Sequence, residues 1–265
     1  VHAEPLADGG WRITVAIADV AWYVQPGSPL DREAEKRGNS VYFPDRVVPM
    51  LPEALSNDLC SLRPGEDRAC MAAIMDFDAQ GIKRKHRFVR GLMRSAARLV
   101  YEDVQAAIDG LPNERTEPLL EPVIRPLYDA YAVLAAARSK RGPLELEVAE
   151  RVFQMNADRT RITGVAPRAR LDAHRLIEDF MIAANVAAAE TLTDRLAPCL
   201  FRVHDTPDPA RVESLAGVLA EMGIKASPNA ITRPSQFTEL VRKAEGTDYA
   251  ALVSELVLRA QAQAV

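Results

Sequence analysis

The chain has 265 residues, 33 lysines plus arginines against 37 aspartates plus glutamates, and a formal net charge of −4. At ~100–200 residues per domain this length makes one large domain or two small ones, and a composition of 48% hydrophobic and 26% charged residues excludes a disordered or fibrous chain. No apolar run approaches the roughly 20 residues of a membrane span, and the acidic balance exerts no global pull on a polyanion, so a nucleic-acid partner requires a local basic patch.

Cys60, Cys70 and Cys199 are too scattered for a disulfide framework or a metal knuckle, which predicts a reducing, cytoplasmic setting. No signal peptide is visible at Val1. Trp11–Ile17 alternates after the turn Asp8-Gly9-Gly10 and reads as a strand. Pro26-Gly27 and Ser28-Pro29 break the chain before Asp31 opens a short helix to about Lys36. Four prolines (Pro44, Pro49, Pro52 and Pro64) make 43–66 irregular. Met71–Phe77 and Lys85–Met93 are predicted strands around the turn Asp78–Gly81. Pro122–Lys140 carries apolar residues at helical period, and short strands are expected near Val152–Met155 and Ile162–Val165. A long helix is expected from Asp172, acting as cap, to about Leu196. Asp208 and Pro209 open another helix that Gly223 ends, and two more follow near Ser235–Ala244 and Tyr249–Val265. With no separating linker, the chain reads as a single α+β domain over 1–265, strands and irregular loops first and helices later.

Chemistry has few visible footholds. On a wheel of the helix from Asp172, Leu176, Ile177, Phe180 and Ala184 centre an apolar face. His174, Glu178 and Asn185 fall on one flank, and Arg175 and Asp179 on the other. Glu178 is thus either a carboxylate facing a cleft or a boundary residue paired with an arginine. His174 and Glu178, four apart, could share a metal or simply pair. The run Lys83, Arg84, Lys85, Arg87, Arg90, Arg94 and Arg98 is the densest positive stretch, and is either a phosphate contact or a solvated outer strand. Tyr42 and Tyr101 could stack on bases or anchor turns. Asp76 and Asp78 read as a cation pair or as turn chemistry. No Gly-rich phosphate loop, nucleophile elbow or Cys/His nucleophile is present.

Several stretches taken in order resemble the catalytic RNB domain of the ribonuclease II/ribonuclease R family, the ribonuclease R branch above all. They include Val15-Ala16-Ile17-Ala18-Asp19-Val20, Arg37-Gly38-Asn39-Ser40-Val41-Tyr42-Phe43-Pro44, Pro49-Met50-Leu51-Pro52, Leu55-Ser56-Asn57-Asp58-Leu59-Cys60-Ser61-Leu62, Arg141-Gly142, His174-Arg175-Leu176-Ile177-Glu178-Asp179-Phe180-Met181 and Arg202-Val203-His204. The resemblance covers nearly the whole chain. It implies a processive 3′→5′ exoribonuclease that hydrolyses single-stranded RNA to nucleoside 5′-monophosphates by two-metal catalysis with Mg²⁺, acting as a monomer without membrane contact.

Carried over residue by residue, Tyr42 corresponds to the tyrosine stacked on the 3′-terminal base and Tyr101 to one further along the RNA. Glu178 corresponds to the glutamate at the terminal sugar. Leu146 stands where ribonuclease II has an aromatic partner for Tyr42, and can pack on a base but not stack. The family's metal-binding aspartates are expected just ahead of Val1 and its catalytic arginine beyond Val265, so this chain holds no catalytic or metal residue of that set. It is expected to be inert alone. The alternative reading is a non-catalytic RNA-binding or adaptor protein on a degenerate RNB scaffold.

Overall fold

In the computed structural model the described residues are 1–144, 146, 151–228, 231 and 233–265. They form two compact units, one of 1–137 and 153–197 and the other of 138–152 and 198–265.

The first unit is built on a four-stranded antiparallel sheet. Strand β1 (His2–Pro5) pairs with β2 (Trp11–Ala18). Two short helices follow, α1 (Val20–Tyr23) and α2 (Pro29–Arg37). The start of α2 is fixed by Ser28, whose Oγ accepts the Asp31 N–H at 3.2 Å, and by Pro29 at its first position. The proline-rich stretch is not wholly irregular. It contains a two-stranded ribbon, β3 (Val41–Tyr42) and β4 (Val47–Val48), and a π-helical turn over Ala54–Leu59. The sheet then resumes with β5 (Asp67–Phe77) and β6 (Lys83–Arg94), in the order β1-β2-β5-β6.

Register explains the pattern of β2. Trp11, Ile13 and Val15 lie opposite Phe77, Met75 and Ala73, so alternate residues build one apolar face. That face is covered by helices. After α3 (Tyr101–Ile108), a single turn α4 (Glu117–Leu119) and a π-helical turn over Leu120–Ile124 lead into α5 (Arg125–Lys140). The hairpin β7 (Arg151–Met155) and β8 (Ile162–Pro167) precedes α6 (Asp172–Asp194). Leu127, Ala130 and Leu134 of α5 and Leu176, Phe180, Ala184 and Ala187 of α6 share one core with Ile13, Val15, Met75 and Phe77.

The second unit is helical. Its core joins Val212, Leu215 and Leu219 of α7 (Pro209–Glu221) to Phe237 and Leu240 of α8 (Pro234–Ala244) and to Val253 and Val257 of α9 (Ala250–Ala260). Asp208 caps α7 as expected, its Oδ1 accepting the Ala210 N–H at 2.9 Å. Helix α9 is shorter than its periodicity suggests. It stops at Ala260 because the last residues run extended, Val203 and Val265 exchanging backbone hydrogen bonds of 2.9 Å. Helix α6 also begins differently from expectation: Leu171, not Asp172, is its cap residue.

One buried charge ties the sheet together. Asp19, at the end of β2, is only 5% exposed, and Arg90 of β6 clasps it through Nε at 2.6 Å and Nη2 at 3.0 Å. Between the neighbouring strands β5 and β6, Arg94 meets Asp67 at 2.8 Å, in solvent. Removing the cation leaves a stranded buried carboxylate only in the first case. Arg90→Met should therefore lower the thermal midpoint more than Arg94→Met. Phe180→Ala, which empties a fully buried site on α6, should cost about 3–5 kcal/mol in urea unfolding.

Candidate nucleic-acid interface

The four residues singled out from the resemblance occupy three different settings. Tyr42 stands on the β3–β4 ribbon and is 77% exposed. The ribbon is held at its base, where Ser40 Oγ accepts the Met50 N–H at 2.9 Å and Arg37 Nη1 donates to the Pro49 carbonyl at 3.1 Å. At its tip the Phe43 N–H reaches the Arg46 carbonyl at 2.8 Å, and the Arg46 guanidinium lies 5.0 Å from the Phe43 ring centre. An aromatic ring on a braced, solvent-facing ribbon is free to receive a planar partner.

Tyr101 and Glu178 meet at the start of α6. Tyr101 opens α3, and its ring stacks on His174 with centroids 4.1 Å apart and planes 20° from parallel. His174 Nδ1 accepts the Leu171 N–H at 3.2 Å, which assigns the ring proton to Nε2, an atom that is buried without a partner among the described residues. The imidazole is thereby fixed in plane beneath the tyrosine. The two helices are tied once more, as Gln105 Oε1 accepts from both the Ala173 N–H at 3.1 Å and the Tyr128 hydroxyl at 3.2 Å. One turn beyond His174, Glu178 is exposed and takes a 2.7 Å hydrogen bond from Arg170 Nη2.

Glu178 is thus an exposed carboxylate that already holds an arginine partner, and His174 directs its Nδ1 to the backbone of Leu171. Leu146 belongs to the second unit, where it is half-buried against the α7–α9 core.

Two features of this region were not visible in the sequence. Helix α3 is short, and its contact with His174 spans 73 positions, a separation no local pattern reports. Asp179 is buried although the wheel places it on a flank.

The basic strand β6 is largely committed to the protein itself. Lys83 reaches Glu190 at 2.6 Å, Arg84 reaches Asp78 at 2.5 Å, and Lys85 reaches Asp76 at 3.2 Å. With Arg90 on Asp19 and Arg94 on Asp67, the stripe is mostly neutralised by neighbouring carboxylates. Asp78 also accepts the Gln80 and Ile82 N–H groups at 2.9 Å each, so it is turn chemistry. Asp76 is clasped by Arg12 Nε at 2.7 Å and Nη2 at 2.9 Å. Among the described residues no group of three or more His, Cys, Asp or Glu side chains converges as metal ligands. Of the three buried carboxylates among the described residues, Asp19 and Asp76 are engaged by guanidinium groups and Asp179 has a partner of its own, so these residues do not fit a divalent cation.

The RNB domain pattern matches residues 1–265. The chain belongs to the RNB domain family. It is 42% identical over its whole length to Ribonuclease R of Vibrio parahaemolyticus and 41% identical to Ribonuclease R of Escherichia coli, covering 32% and 33% of those proteins. It thus spans about a third of the length of the curated relatives it matches. The solved structure of Mycoplasma genitalium RNase R in complex with ribose-methylated single-stranded RNA superposes on 99% of this RNB chain with a TM-score of 0.91, at 27% identity and over 41% of that protein. The α+β architecture expected from the sequence is therefore an RNB fold. No helix among the described residues is long and apolar enough to cross a membrane.

The Asp76 clasp sets a pH dependence. Hydrogen bonds, first from Arg12 and then from Lys85, hold the Asp76 carboxyl below its usual 3.8 against an opposing desolvation. A carboxylate more acidic folded than unfolded adds stability above its unfolded value and loses it as pH falls through the folded value. Stability against urea should therefore fall below about pH 4, and Asp76→Asn should flatten that acid limb.

Proposed function

We propose that this chain is the RNA-holding part of a 3′→5′ exoribonuclease. Its parent protein hydrolyses single-stranded RNA processively to nucleoside 5′-monophosphates, with Mg²⁺ as the cofactor. The observation that carries this reading is the 42% identity to a Ribonuclease R along the entire chain. The described residues supply grip and not bond cleavage, so no step of the metal-dependent chemistry is assigned to them.

In this reading Tyr42 stacks on the 3′-terminal base. Its exposure and the bracing of its ribbon suit that role. Tyr101 stacks on a base further along, supported from below by His174. Glu178 accepts a hydrogen bond from the terminal sugar, with Arg170 orienting the carboxylate. Leu146 offers an apolar contact to a base and no stack. Recognition by stacking and backbone contact tolerates any sequence, because every base has a π-face. The three free thiols fit a cytoplasmic monomer.

The test is a 5′-labelled single-stranded RNA mixed with this chain, with and without Mg²⁺, and resolved on native and denaturing gels. The chain should retard the RNA and leave its length unchanged in both cases. Tyr42→Ala should weaken retardation by about 5- to 150-fold, the equivalent of ~1–3 kcal/mol for one lost stack, with an unaltered circular dichroism spectrum. Shortened RNA would show that hydrolysis resides in these residues, and absence of any retardation would remove the RNA-holding role.

A further inference from the structure

The β7–β8 hairpin is the most strongly charged element that the site above leaves unused. Between positions 151 and 170 the sequence holds five arginines, Arg151, Arg159, Arg161, Arg168 and Arg170, against one acid, Asp158, in a chain of net charge −4. Arg170 is spent on Glu178. Arg159 and Arg161, at the tip, are exposed and make no ion pair among the described residues. This contrasts with β6, whose cations are mostly consumed by neighbouring carboxylates.

The tip is rigid. Asn156 Oδ1 accepts the Thr160 and Arg161 N–H groups at 2.9 and 3.0 Å, and Asn156 Nδ2 donates to Thr160 Oγ1 at 3.1 Å. The Asn156 N–H reaches the Arg161 carbonyl at 3.0 Å, and the Arg159 N–H reaches the Asn156 carbonyl at 2.9 Å. These bonds force Arg159 to a φ of +55°. Glycine occupies that left-handed region freely, whereas a side chain is strained there. The backbone at this position thus favours glycine, and the side chain present is a long cation turned loose in solvent. Along the same hairpin Phe153 is 48% exposed.

We propose that the tip of the β7–β8 hairpin is a phosphate-binding contact for single-stranded RNA, with Arg159 and Arg161 as its two cations. Guanidinium groups bind phosphate oxygens in a bidentate fork, and a turn that is already fixed loses little entropy on binding. An exposed aromatic on an element bearing unpaired cations is the combination that single-stranded nucleic acid uses. The inference rests on the RNA-holding reading and adds to it a contact on an element that carries none of Tyr42, Tyr101, Leu146 or Glu178.

The experiment measures anisotropy of a labelled single-stranded RNA with the 265-residue chain between about 50 and 200 mM salt. Arg159→Gly relieves the strained backbone, so its thermal midpoint should equal or exceed that of the unaltered chain while its RNA affinity falls. A purely structural role for Arg159 could not produce that opposite pair of changes. The double variant Arg159→Gly/Arg161→Gln should bind about tenfold or more weakly at the low-salt end. Its slope of log K against log[salt] should be shallower by about 1.4, from ~0.7 per phosphate contact on a single strand, whereas Tyr42→Ala should keep the original slope. Unaltered affinity and slope in the double variant, with the parent chain binding RNA, would overturn the hairpin contact and leave the RNA-holding reading intact. Failure of the unaltered chain to bind would overturn both. Loss of affinity for polyglutamate with RNA affinity unchanged would make the tip a site for an acidic protein and overturn it too.

Discussion

The packing of α6 onto the sheet is the constraint on which the first unit depends. Leu176, Phe180, Ala184 and Ala187 meet Ile13, Met75 and Phe77 in one core, and the small alanines let the helix lie close to the strands. That contact fixes the rotation of α6 about its own axis. Once it is set, Asp179 turns inward and Glu178 turns to solvent. His174, one turn earlier, is presented to α3. The position of Tyr101 therefore follows from a helix more than 70 residues away in sequence, through the stack on His174 and the two hydrogen bonds to Gln105.

Much of this architecture could be read from residue order, for reasons that differ by element. Strand β2 was legible because half of it is buried, so Ile13 and Val15 alternate with Arg12 and Thr14. Helix α7 was legible because Asp208, Pro209 and Gly223 mark both of its ends. The ribbon at Tyr42 was hidden by its prolines, and α3 by its brevity. The true length of α9 depends on the pairing of Val203 with Val265, a long-range bond to which periodicity is blind.

The candidate site was less legible than the fold. Tyr42, Tyr101 and Glu178 could be raised from the residues only as one of two readings each, and their roles, with Leu146 altogether, came from the resemblance to a family. The basic run on β6 shows why composition alone misleads. Lys85 and Arg94 sit opposite Asp76 and Asp67 in the strand register, and only that register reveals that their charge is already satisfied. Asp179 makes the same point in reverse, since a wheel assigns charged residues outward and has no means of marking a buried one that has found a partner.

The carboxylate sealed beneath Arg90 also governs chemistry that has nothing to do with RNA. Cys60 and Cys70 both feel Asp19. Burial first, and then that negative charge, push their thiols up from the usual 9.0. Thiolate is the form that attacks peroxides, disulfides and alkylating agents, and it is scarce when the thiol is held protonated. Burial, with the Asp19 charge adding to it, thus makes two of the three cysteines sluggish nucleophiles at this end of the sheet.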